Sequence, residues 1–152
     1  MELPVDIETS SSGLPSFQNR YILTQVGHQK IGFPSQWVAE IMLIERSQIL
    51  KLPFYDSRLL GVVHYQGHIV PLIAYHFLLS KKLGQKVRFR AMKEILTVIR
   101  LSQAVDKLAG VGIVVEQVVG SLATERSPDQ SIFQLSDVPD NIWQPHWYKA
   151  NE

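Results

Sequence analysis

Apolar residues along this chain come in short runs separated by Gly, Pro and polar pairs, a spacing that predicts strands. The clearest case runs from Leu59 to Ile73, where two apolar, β-branched runs flank Gln66-Gly67. Glycine at the second turn position supplies the positive φ that a two-residue hairpin turn needs. The turn sets a register in which Tyr65 opposes His68, His64 opposes Ile69 and Val63 opposes Val70. One face then carries Val62, His64, Ile69 and Pro71; the other carries Val63, Tyr65, His68 and Val70. Both faces are largely apolar, as expected of strands inside a small barrel, and Pro71 marks an edge or a bulge.

The same reading extends along the chain. Tyr21–Val26 and Gln29–Phe33 form a first hairpin about Gly27-His28, and Ser35 is placed to cap one helical turn through Trp37. Val38–Ile44 reads as a strand with Glu40 as its one charge. Arg46–Ser57 connects it to the Leu59–Ile73 hairpin, and His76–Ser80 reads as a short helical turn. Further strands are expected at Glu94–Leu101, Ala109–Val115 and Gln117–Leu122, with a turn at Asp106-Lys107. No strand is expected after Leu122. The Trp-rich end (Ile142-Trp143-Gln144-Pro145-His146-Trp147-Tyr148) either patches an open barrel or anchors a partner, with patching favoured. Met1–Asn19, Ser-rich and broken by proline, is expected to be a disordered tail. The fold class is all-β and barrel-like rather than a sandwich.

Composition narrows the function. At 152 residues the chain holds one domain or two very small ones. A net charge of +1 creates no global field for nucleic acid or membrane. With no cysteine there is neither a thiolate metal site nor a cysteine nucleophile. The apolar runs fall far short of the roughly 20 residues that span a bilayer, and the N-terminus is no signal peptide, so a cytoplasmic protein is expected, without membrane insertion. His64 and His68 fall on opposite faces, which argues against a metal site. No G-x-S-x-G, phosphate loop or carboxylate pair is present, so neither an enzyme nor a cofactor is expected. The basic run Lys81–Lys93 keeps a nucleic-acid-binding barrel as an alternative, although the strands lack interleaved aromatics and a solvated loop fits better. Glu40 must face solvent, be paired or sit at an interface, because burying a lone carboxylate is costly.

Three motifs in order give the chain a resemblance to the CheW-like family, the coupling adaptors of bacterial chemosensory arrays. Val38-Ala39-Glu40-Ile41 resembles the family's V-x-E-I. Leu60-Gly61-Val62-Val63-His64-Tyr65-Gln66-Gly67-His68-Ile69-Val70-Pro71-Leu72-Ile73-Ala74 matches R/K-G-V-x-N-L-R-G-x-x-x-P-V-x-D-L in spacing, without a gap. Gly112–Val118 resembles G-x-x-V-D-x-V, with Glu116 for the usual Asp. The likeness covers about Arg20 to Leu122. It departs at Leu60 for the basic residue, His64 for Asn, Gln66 for the turn Arg and Ala74 for Asp.

The resemblance implies two small intertwined SH3-like β-barrels of a five-stranded type, the second shortened at its C-terminus. It divides the chain into a tail (1–19), a core (20–122) and an aromatic C-terminal segment (123–152) that packs on or replaces the last strands. It further implies a non-catalytic adaptor joining a methyl-accepting receptor tip to the regulatory domain of a CheA-type histidine kinase, in a pathway such as twitching motility or phototaxis. The implied contact residues are Val38, Glu40, Ile41, Leu60, Gly61, Gln66, Gly67, Gly112, Glu116 and Val118. The alternative within the family is an assembly module without receptor coupling. On this reading Glu40→Lys is expected to weaken receptor binding and leave the thermal midpoint nearly unchanged.

Overall fold

The chain lays down two strands of one sheet, five of a second, and then returns to the first. The computed structural model describes residues 20–84, 93–122 and 130–145. The expected N-terminal tail, most of the basic run Lys81–Lys93 and the chain beyond Pro145 lie outside the described residues.

Strands β1 (Tyr21–Val26) and β2 (Gln29–Pro34) form the first hairpin, turning at Gly27 with φ 61°. A single 3-10 turn follows at Ser35–Trp37. Its N-cap is Pro34, not Ser35, and no side chain caps it. The second sheet then takes β3 (Val38–Glu45), β4 (Leu59–Tyr65), β5 (His68–Ala74), β6 (Ile95–Leu101) and β7 (Gly112–Val115), in the order β3-β6-β7-β5-β4. Strands β8 (Gln117–Leu122) and β9 (Gln130–Ile132) complete the first sheet in the order β8-β1-β2-β9. The fold is mostly β, as the sequence implied.

Two elements depart from expectation. The helical turn at His76–Ser80 belongs to a helix, α1 (Tyr75–Leu83), whose buried Tyr75, Leu78 and Leu79 sit at i, i+3 and i+4. After Leu122 there is a strand, β9, lying parallel to β2. It holds only Gln130-Ser131-Ile132 and has no run of alternation to announce it; tertiary pairing with Lys30–Gly32 defines it.

The β4–β5 register is the one read from the turn, with Tyr65 opposite His68. Gln66 (φ 49°) and Gly67 (φ 81°) both take left-handed backbone, which makes the turn type I′. The expectation that both hairpin faces are core needs correction. Val63 and Val70 are buried, but His64 and Ile69 are exposed. The reason is reach: β5 pairs with β7 only over Leu72–Ala74, so the tip of the hairpin runs past its neighbour. Pro71 fits this edge. Val62 turns its N–H and C=O to Leu50 (2.9 and 2.8 Å), so Val62–Pro71 is a non-hydrogen-bonded pair and the nitrogen of Pro71 faces the side away from β4.

One core lies between the sheets and another inside the curled second sheet. Strand β6 alternates between them: Leu96 and Val98 face the inner cluster, Ile99 and Leu101 the inter-sheet one. Val114 against Ile113 and Val115, and Leu72 against Ile73, do the same on β7 and β5. Burial on both faces explains why these strands read as continuous apolar runs.

The C-terminal segment closes the inter-sheet core with Phe133, Val138 and Ile142, all buried. The Phe133 ring stacks on Phe33 at 4.9 Å and meets Tyr75 and Trp37 at 6.0 and 6.3 Å. Tyr75 Oη donates to Asp137 Oδ2 at 2.9 Å, and Gln134 N donates to the same oxygen at 3.1 Å. Burial, with the Asp137 carboxylate beside it, holds the Tyr75 phenol well above its ordinary pKa.

Candidate functional site

The V-x-E-I residues on β3 divide between its two faces in a way set by a bulge. Pairing with β6 slips between Val38 and Glu40: Val38 opposes Leu101, and Glu40 opposes Arg100. Ala39 is the extra residue, and without it Val38 and Glu40 would share a face. As built, Val38 packs against the inter-sheet core, while Glu40 lies on the side of Met42 and Val98. Ile41, on the opposite face from Glu40, is 43% exposed.

Glu40 is paired. Arg100 Nη1 donates to its Oε2 at 2.8 Å, with 33% of the Glu40 and 19% of the Arg100 side chain exposed. Arg100 Nε is buried without a hydrogen-bond partner among the described residues. Removing the carboxylate therefore leaves a half-buried guanidinium without its counter-charge, which costs more than losing a surface ion pair. Arg100 is not among the contact residues that the resemblance implies. Its signal was there: Arg100 is the one charge of Ile95–Leu101, as Glu40 is of Val38–Ile44.

The registers align Glu40, Arg100, Gly112, Leu72 and Gly61 in one row across all five strands. Three candidates thus share a row, and two of them are buried glycines. An added Cβ at Gly112 would lie 2.6 Å from Val98 Cγ1 and 2.8 Å from Leu72 Cδ2. At Gly61 it would lie 2.2 Å from the Leu50 carbonyl oxygen, and φ there is 144°. Both glycines let neighbouring atoms approach; neither presents a side chain. Gln66 and Gly67 stand exposed at the tip of the β4–β5 hairpin.

Leu60, beside the slip in β4–β5 pairing between Leu59 and Gly61, packs on the inner cluster and lines a surface groove. The groove, about 540 Å³, is also lined by Arg46, Ser47, Ile49, Lys51 and Glu94. The remaining candidates lie where the chain passes from β7 to β8. Glu116 N donates to the Gln25 carbonyl at 2.9 Å, and its Oε2 accepts from Gly27 N at 3.0 Å, tying the crossing to the first hairpin. Val118 is half-buried against the inter-sheet core.

A five-stranded curled sheet and a four-stranded sheet share one core, and the chain leaves and re-enters the smaller sheet. Residues 20–144 match the family model of the CheW-like domain. The chain belongs to the CheW-like domain family. Among solved structures it is similar to the scaffolding protein TtCheW from Thermoanaerobacter tengcongensis, with a TM-score of 0.55 and 17% sequence identity. That likeness covers 72% of this chain and 64% of the other, so this CheW-like chain spans less than two thirds of its neighbour's length. No curated protein matches the sequence. Among the described residues no helix is long and apolar enough to cross a membrane.

Proposed function

We propose that the protein is a non-catalytic adaptor of a chemosensory pathway, working in the cytoplasm without a cofactor. It joins a methyl-accepting receptor tip to the regulatory domain of a CheA-type kinase. The observation that carries this reading is the CheW-like match over residues 20–144. Two sheets sharing a core make one body able to present two surfaces at a fixed separation. The receptor-facing surface takes in Glu40 and Ile41 on β3 and the Gln66-Gly67 tip; the kinase-facing surface lies around Val118. Val38, Gly61, Gly112 and Glu116 act by shaping these surfaces, and Leu60 by lining the groove. Interfaces of this kind are moderate in size and polar-rimmed, so array avidity adds to modest pairwise affinity.

Glu40 provides the test, and its pairing changes which variant to use. Glu40→Lys sets an ammonium beside Arg100, so its midpoint is expected to fall, by a cost of about 1–2 kcal/mol, rather than stay unchanged. Glu40→Gln keeps an oxygen acceptor for Arg100 and removes the charge. It is expected to hold its midpoint within a few degrees, while binding of a receptor-tip fragment weakens about five- to tenfold. Titration of the fragment by calorimetry checks this; unchanged affinity removes Glu40 from the receptor surface.

A further inference from the structure

The groove beside Leu60 combines an apolar floor with an ionic rim. Ile49 and Leu60 make the floor, both half-buried and packed on the inner cluster of the curled second sheet. Paired backbone fixes the walls. Arg46 N donates to the Glu94 carbonyl at 2.7 Å and Ile49 N to the Arg46 carbonyl at 3.2 Å. Leu50 exchanges two hydrogen bonds with Val62, at 2.8 and 2.9 Å. At about 540 Å³ the groove has the size of a small-molecule site, and such sites are likewise apolar with a few convergent polar groups.

The rim sets the charge of the occupant. Arg46, Lys51 and Glu94 stand around it, and two cations against one carboxylate leave a single net positive charge. The Arg46–Glu94 pair is loose, at 3.7 Å with 46% and 82% of the two side chains exposed, and exposed pairs are weak. Among the described residues no carboxylate pairs with Lys51. We propose that the groove binds a small amphiphilic monoanion, an aliphatic carboxylate whose chain lies on Ile49 and Leu60 and whose head bridges Arg46 and Lys51. The Arg46 fork suits a carboxylate's two oxygens, and the Ser47 hydroxyl lies within the same rim as a further donor. One net charge matches a carboxylate, whereas a phosphate monoester brings nearly two and leaves an excess. The site goes beyond the adaptor reading, and neither receptor nor kinase enters its test.

The probe is octanoate, titrated into the full chain and followed by the methyl carbon–proton correlation signals of Ile49 and Leu60. Both are expected to shift and saturate, with a Kd on the order of 0.1–1 mM for a ligand of about ten non-hydrogen atoms. Octylammonium, with the opposite head, and acetate, without the chain, are expected to bind at least about tenfold more weakly. Lys51→Gln and Arg46→Gln should each weaken octanoate about five- to tenfold, while Lys107→Gln, at an exposed lysine paired with Asp140, stays within about twofold. Glu94→Gln adds one positive charge to the rim and should tighten octanoate about threefold, and octyl phosphate by more. A gain of this kind cannot come from misfolding. Octanoate that fails to saturate below about 10 mM overturns the proposal. Binding that survives both cation substitutions, or octylammonium binding as tightly as octanoate, overturns it too, because the rim then plays no part.

Discussion

Replacing Gly61 with alanine is expected to lower the unfolding free energy by about 3–5 kcal/mol and the thermal midpoint by about 10 °C or more. Two effects add. At φ 144° the backbone lies in a region that L residues rarely adopt, and the new methyl would sit 2.2 Å from the Leu50 carbonyl oxygen and 2.8 Å from Ile49 Cγ2. The nearer obstacle is backbone and cannot swing aside, since this carbonyl is the one that accepts from Val62 N at 2.9 Å. Relief requires breaking the Leu50–Val62 bridge, which carries the chain from β3 onto the edge of β4. Circular dichroism melting checks the effect; a midpoint within about 2 °C of wild type would show that the bridge is dispensable.

Phe133→Ala is expected to cost a similar amount, about 3–5 kcal/mol. The side chain is fully buried, stacked on Phe33 and flanked by Tyr75 and Trp37, so its removal opens a cavity bounded by large rings. The rings come from β2, from α1 and from the 3-10 turn after β2, elements that relax only together. Denaturant unfolding should therefore show one transition shifted to lower concentration. A separate early transition, with the main one unmoved, would mean that the 130–145 segment is an attachment to the core and not part of it.

The hairpin at Gln66-Gly67 was legible because a two-residue turn dictates register, and register dictates which residues share a face. Strand β3 was legible as a strand from its apolar run. Its bulge at Ala39 was not, since nothing in V-A-E-I distinguishes a strand that alternates from one that slips a residue. That slip sends Val38 and Glu40 to opposite sides. The partner of Glu40 was hidden for another reason: Arg100 lies 60 residues away, and only β3–β6 pairing joins them. Strand β9 escaped because three residues carry no periodicity. The burial of Phe133, Val138 and Ile142 followed from an inter-sheet opening that local pattern cannot describe. The family motifs located Gly61 and Gly112, while the structure supplied what each glycine leaves room for.

The most direct measurement is a binding titration of the full chain with the regulatory domain of a CheA-type kinase, repeated with a receptor-tip fragment present, followed by sedimentation to resolve the species. The adaptor account predicts that the kinase domain and the receptor tip occupy the chain together, in a ternary complex heavier than either pair. Binding of one partner that expels the other, or binding of neither, would contradict it.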